Sequence, residues 1–297
     1  MAQLKLVVGY LATSGGADAV ALATRFARTL GAEVEICIVL PRETRLLGML
    51  KGGYQEVVAD QAQSWLDQAL ASVPDDVVAH GHLSYDESFA DGLVREALRL
   101  DAMTIVVGGS GGGLAGSYSL GSVVNELLYS SPVPVAVAPR GTRLSAIERV
   151  REVTCAIGER KGADLLLDFA VQSSKAAGTP LRLVSLVALD PVFGYLRSDA
   201  DSVRDHALAH ARQTLETAKS ELPEGFPVSS TIVDGPTIEA AVSRLGWHDG
   251  DMIIVGSSRL SAPKRIFLGS TAAKMLRVLD VPMVVVPRDE LTDGEQS

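Results

Sequence analysis

Cysteine is nearly absent from this chain: its 297 residues include only Cys37 and Cys155, both inside strand-like apolar runs. Such a pair argues against a disulfide framework and reads as buried, reduced thiols of a cytosolic protein. Aromatic residues make up 5%, and no apolar stretch reaches the ~18 residues that a membrane-spanning helix needs. Basic residues are outnumbered, 27 Lys and Arg against 36 Asp and Glu, giving a net charge of −9. An acidic balance argues against general nucleic-acid binding, which rests on neutralising phosphates with a basic face. The opening MAQLKLVVGY enters a strand-like run at once and shows no export signal. Also missing are a Walker GxxxxGK(S/T), a GxGxxG at the first helix and a GxSxG elbow. A P-loop ATPase, a Rossmann-type dinucleotide domain and an α/β-hydrolase triad are thereby disfavoured. With 47% hydrophobic and 21% charged residues, the composition is that of a soluble globular protein.

What is present is said twice. The segment IVVGGSGGGLAGSYSLGSVVNELLYSSPVPVAVAPR, from Ile105 to Arg140, returns as IIVGSSRLSAPKRIFLGSTAAKMLRVLDVPMVVVPR, from Ile253 to Arg288. Gly108 with Gly256, Gly121 with Gly269 and Pro139 with Pro287 each lie 148 positions apart. GGADAV at Gly15–Val20 returns as KGADLL, and LGAEVEICIVL at Leu30–Leu40 as AGTPLRLVSLV. A period of half the chain means one duplicated domain, not a solenoid. The expected domains are residues 1–140 and 149–290, joined by the polar RGTRLSAIER and followed by the acidic tail DELTDGEQS.

Within each half, short β-branched runs alternate with amphipathic stretches. LKLVVGY, VEICIVL, MTIVVGG and VPVAVAP read as buried strands, with VVAHGHL a weaker fifth. Helical spacing marks ADAVALATRFARTLG, with Gly31 as its stop, and YQEVVADQAQSWLDQALASV and SFADGLVREALRL. The second half repeats the order. Such alternation predicts two doubly wound α/β domains with parallel sheets in tandem.

The glycines of the first copy have a fixed spacing: Gly108, two residues, Gly111, nine residues, Gly121, then Ser122. Glycine lets backbone N–H groups approach a phosphate, and Ser122 opens a helix whose first-turn amides favour an anion. A glycine run after a strand is also a common flexible turn. Its place beyond the carboxyl end of a strand of an open α/β sheet is where such folds take ligands.

With these residues in view, the chain resembles a tandem universal stress protein. The family's ATP-binding members carry G-2x-G-9x-G-(S/T), which Gly108, Gly111, Gly121 and Ser122 match. VPVAVAPR and VPMVVVPR are similar to the family's last strand, through which domains pair. The resemblance implies a flavodoxin-like, adenine nucleotide alpha hydrolase-like fold, with ATP, with or without Mg²⁺, in a cleft between the first and fourth strands. It also implies pseudo-twofold pairing of the two domains and leaves a homodimer open.

Departures from the family pattern divide the halves. The Asp that ATP-binding members carry after the first strand is Leu11 in one copy and Ile157 in the other. Val39 matches the position whose backbone meets adenine in the family. The second copy keeps Gly256, Gly269 and Ser270 but has Arg259 for the middle glycine. A side chain there obstructs the approach to phosphate, although a guanidinium can itself bind one. Nucleotide is therefore expected mainly in the first domain, in a cytosolic stress-response protein that regulates rather than catalyses. A nucleotide-free scaffold acting through unknown protein partners and a slow ATP hydrolase remain the alternatives. His206 and His210 stand one helical turn apart without the Glu of HExxH, and His80 and His82 share a strand face; both pairs read as surface histidines.

Overall fold

Alternation of buried strands and half-buried helices builds each half of the chain in the same way. The computed structural model describes residues 3–42, 54–109, 121–158, 164–188, 200–258 and 265–287. Two compact units divide at Arg149 and Val150. In the first run β1 (Lys5–Gly9), α1 (Ser14–Leu30), β2 (Glu33–Pro41), α2 (Tyr54–Ala71), β3 (Ala79–Asp86), α3 (Phe89–Arg99), β4 (Thr104–Gly108), α4 (Ser122–Ser130) and β5 (Val135–Ala138). In the second run β6 (Glu152–Ala156), α5 (Asp164–Ala177), β7 (Leu181–Ala188), α6 (Ala200–Ser220), β8 (Val228–Gly235), α7 (Ile238–Ser243), β9 (Asp251–Gly256), α8 (Ser270–Leu276) and β10 (Met283–Val286).

The strand order is β3-β2-β1-β4-β5 in the first unit and β8-β7-β6-β9-β10 in the second, with parallel pairing throughout. Both units are thus doubly wound, as the alternation predicts. VVAHGHL supplies Ala79–Leu83 of β3, which runs on to Asp86. The central strands are buried on both faces, with Leu6, Val7 and Val8 of β1 and Ile105 and Val106 of β4 wholly inaccessible. That is why they read as unbroken apolar runs.

Local chemistry sets the helix ends. In α1, Ala19, Leu22, Ala23, Phe26 and Ala27 form the buried stripe expected of 3.6-residue periodicity. Thr13 caps its start, its Oγ1 accepting from the Gly16 N–H at 3.2 Å, and Gly31 ends it at φ 67°. Glycine reaches that left-handed region without a Cβ penalty.

The polar segment after β5 is bound to α1. Asp18, 1% exposed, accepts from the Gly141 and Arg143 N–H groups at 3.0 and 2.9 Å and pairs with the Arg143 guanidinium at 3.0 Å. Two turns on, buried Arg25 donates to the Ile147 carbonyl at 2.9 Å and to Ser145 Oγ. Arg28 reaches Asp76 and Glu148. Buried charges persist where several donors or acceptors satisfy them, as these do.

Candidate functional site: a cavity between two helix starts

Strand order reverses at β1, whose neighbours β2 and β4 lead to helices on opposite faces of the sheet. A crevice opens there, at the carboxyl ends of the strands. A cavity of about 360 Å³ fills it, within the about 300–1,000 Å³ usual for small-molecule sites. Its floor is the apolar ends of the strands, with Cys37, Val39 and Val107. Gly108 and Gly9 end the strands that flank it.

Besides α3, whose first residue Phe89 borders it, two helices begin at its rim. Ser14, Gly15 and Gly16 open α1, while Ser122, Val123 and Val124 open α4, and both turns line the cavity. Neither first turn holds an acidic residue, and Gly121, the N-cap of α4, supplies no side-chain cap. Helix starts leave backbone N–H groups without intrahelical acceptors and carry partial positive charge. Two on one cavity make a wall suited to an anion.

The glycines hold this wall by close packing. A Cβ on Gly108 would fall 1.9 Å from the Gly15 carbonyl oxygen, and one on Gly16 would fall 1.9 Å from that of Leu11. Gly108 was read from the sequence as clearing a path for phosphate; what it touches is the backbone of α1. Gly121 and Ser122 stand at the start of α4. Gly111 lies outside the described residues.

The rest of the lining is largely apolar. Leu11 is 51% exposed and Phe89 42% exposed, although both are large hydrophobic side chains, because they border open space. The described lining has no Asp, Glu, His, Lys or Arg. Its titratable side chains are Tyr10 and Cys37. Burial raises Tyr10 above the ordinary phenol value and pushes the Cys37 thiol up to about 12, so both are neutral at pH 7.

The second unit builds the corresponding corner differently. The sequence match of Ile157 to Leu11 shifts by one residue: Gly9 pairs with Cys37 as Ala156 pairs with Val184, and the Tyr10 and Ile157 N–H groups donate to the carbonyls of Cys37 and Val184. Ile157, 6% exposed, therefore takes the place of Tyr10, and Gly158 that of Leu11. Past Gly256, the Ser258 N–H donates to the Phe267 carbonyl at 2.8 Å, and Ser257 Oγ accepts from the Phe267 N–H at 2.7 Å. The side chain of Ser257 thus ties down residues leading to Gly269 and Ser270, the N-cap and first residue of α8. Gly109 occupies the matching place in the first unit and has no hydroxyl. Arg259 lies outside the described residues.

The universal stress protein family model matches the chain twice, over residues 4–139 and 149–287. The chain belongs to that family. Universal stress proteins of Mycobacterium tuberculosis and Mycobacterium bovis are each 28% identical over 294 residues, covering 96% of this chain and 100% of theirs. A universal stress protein of Archaeoglobus fulgidus shares the fold, with a TM-score of 0.62 at 19% identity over 96% of this chain and 98% of that one. Full-length relatives with the same two-domain length agree with the doubled strand order.

Several lining residues escaped the sequence reading. Gly15 and Gly16 enter the sequence analysis only within the repeat, and Thr13 and Ser14 do not enter it, although a Thr followed by small residues before an apolar-periodic stretch is a helix-start signal. Phe89 and Leu93 have no local signature; the crossover that carries α3 over Val39 brings them in. His206 and His210 are exposed on α6, in keeping with a surface reading. His82 departs from that reading, lying 2.5 Å from a carboxylate oxygen of Glu35. Among the described residues no helix is long and apolar enough to cross a membrane.

Proposed function

We propose that the first unit binds ATP, its phosphates against the starts of α1 and α4 and its base toward Leu11, Val39 and Phe89. The observation that carries this reading is the meeting of two uncapped-by-acid helix starts at one cavity whose remaining lining is largely apolar. Thr13, Ser14 and Ser122 add hydroxyls for phosphate oxygens. The described lining offers no carboxylate for a metal, so Mg²⁺ would be held chiefly by the phosphates themselves.

Occupancy rather than turnover is the proposed output. Tyr10 and Cys37 are protonated at pH 7, and neither serves as general base or nucleophile in that form. A bound ligand acts as a signal when two conformations bind it with different affinity. Free, buried Cys37 and Cys155 fit a reducing cytosol. The tie between Ser257 and Phe267 favours a smaller role for the second unit.

Ser122→Glu tests this assignment. The exposed first residue of α4 accepts a carboxylate well, because acidic side chains stabilise a helix start, yet that charge repels phosphate. ATP at 100 times its Kd raises the stability of the unaltered chain by about 2.7 kcal/mol; the expected result for Ser122→Glu is an undiminished melting temperature without any ATP-induced rise. Equal responses from both chains would remove α4 from the site. No response in either, with no nucleotide carried through purification, would favour a scaffold working through protein contacts. Rapid phosphate release would favour a hydrolase.

A further inference from the structure

At the amino ends of the same strands lies a second group of ionisable side chains. Register pairs Lys5 with Glu33 and Glu35 with His80. Because strand side chains alternate, Glu33, Glu35, His80 and His82 share one face of the β2–β3 pair. A carboxylate oxygen of Glu33, one of Glu35 and a ring nitrogen of His80 all lie within 4.8 Å of one another. Glu35 is 2% exposed, and its two oxygens lie 2.5 Å from His82 Nε2 and 3.7 Å from Lys5 Nζ.

The second unit supplies an internal control. Val34 pairs with Leu6 and Ala79, as Leu181 pairs with Val153 and Val228, so Lys5, Glu35, His80 and His82 correspond to Glu152, Arg182, Ser229 and Thr231. There a half-buried charge is met in the ordinary way, Arg182 pairing with Glu152 at 2.7 Å. The first unit reverses that pair and adds two imidazoles and a further carboxylate. A plain ion pair needs neither. Imidazole and carboxylate together are the donors of Zn²⁺ and its neighbours Co²⁺ and Ni²⁺, whereas Mg²⁺ and Ca²⁺ prefer all-oxygen shells.

We propose that Glu33, Glu35 and His80 bind a divalent transition metal of the Zn²⁺ class, with water completing a four-coordinate shell. His82 is a positioning residue, holding the second oxygen of Glu35, as histidine–carboxylate contacts commonly orient metal ligands. The ion displaces the Lys5 ammonium from Glu35 and joins β2 to β3, which is the last strand of this unit's order on that side. This site stands at the opposite end of the strands from the cavity and does not depend on the nucleotide reading.

Titration of the full, tag-free chain with Zn²⁺ and Co²⁺ tests the site, read by calorimetry and visible absorption. The expected result is one ion per chain, Co²⁺ bands of a four- or five-coordinate ion, and no thiolate charge-transfer band, since the three donors include no thiol. The chain has five histidines; imidazole resonances of His80 and His82 should move while those of His206, His210 and His248 stay. His80→Ala and Glu33→Gln lie at accessible positions and leave the metal-free melting temperature unchanged, but each weakens binding by about tenfold or more. The proposal is overturned by absence of stoichiometric uptake, by unchanged affinity in His80→Ala, or by uptake that disappears only when His206 and His210 are both replaced.

Discussion

Replacing Gly108 with alanine probes the contact on which the cavity wall rests. The new Cβ falls 1.9 Å from the Gly15 carbonyl oxygen and 2.5 Å from its carbon. Non-bonded carbon contacts are comfortable at about 3.5–4.0 Å, so the end of β4 and the first turn of α1 must part by about 1 Å or more. Overpacking by a methyl group costs about 1–3 kcal/mol when side chains can adjust. Here backbone meets backbone, and no rotamer change relieves it. Displacing the turn also strains the Thr13 cap on Gly16, worth about 1 kcal/mol. The expected loss is therefore about 3 kcal/mol in the first unit. With a urea dependence of about 2 kcal/mol/M, the midpoint falls by about 1.5 M. Tryptophan fluorescence reads this unit by unit, because Trp65 lies on α2 and Trp247 in the second unit. In a Trp247→Phe background, emission follows the first unit alone. A midpoint shift below about 0.3 M would mean that Gly108 does not pack on α1 and that its place is explained by ligand approach instead.

Asp18→Ala removes the acceptor of two backbone N–H groups and a guanidinium. The guanidinium retains solvent, so the expected destabilisation is about 2–4 kcal/mol rather than the full cost of a broken buried pair; the same Trp65 reporter measures it, and a neutral result would show that the segment after β5 is loosely held. Iodoacetamide at pH 8 should leave Cys37 unlabelled in the folded chain and label it in denaturant; labelling at the free-thiol rate would contradict its burial. The pH sign follows. Burial raises the folded thiol from 9.0 to about 12, so the folded state retains a proton that the unfolded state loses. Stability is unaffected below pH 9 and falls as pH rises from 9 toward 12. Cys37→Ala should flatten that alkaline slope, as followed by denaturation midpoints.

Periodicity makes the fold readable in the sequence. β1, β2, β4 and β5 are apolar runs too short for helices, the 148-residue offset carries them into the second half, and Gly31 closes α1 where its position suggested. The site was only half readable. The glycine spacing pointed to Gly108, Gly121 and Ser122, but the wall also needs Gly15, some ninety positions before Gly108, and only the β1–β4 pairing brings them together. Leu11 was noticed as a missing carboxylate; that its side chain borders open space depends on the route of β1 into α1. Glu35 and His80 meet through register between neighbouring strands, which periodicity leaves undetermined. Asp18 and Arg25 read as polar spots on an amphipathic helix, because their partners lie more than a hundred residues away.

The hold of α1 on the segment after β5 decides where the first unit may be cut. A fragment ending at Arg140 keeps every strand and α-helix of that unit yet removes Gly141, Arg143, Ser145 and Ile147, with the 3-10 turn Thr142–Leu144. Asp18 and Arg25 would then be left as opposite charges in a newly opened trough, drawing in water beside the helix that opens at the cavity. Extending the fragment to Arg149 keeps those partners. Expression boundaries for an isolated first unit should therefore follow the last hydrogen bond to α1 rather than the last strand.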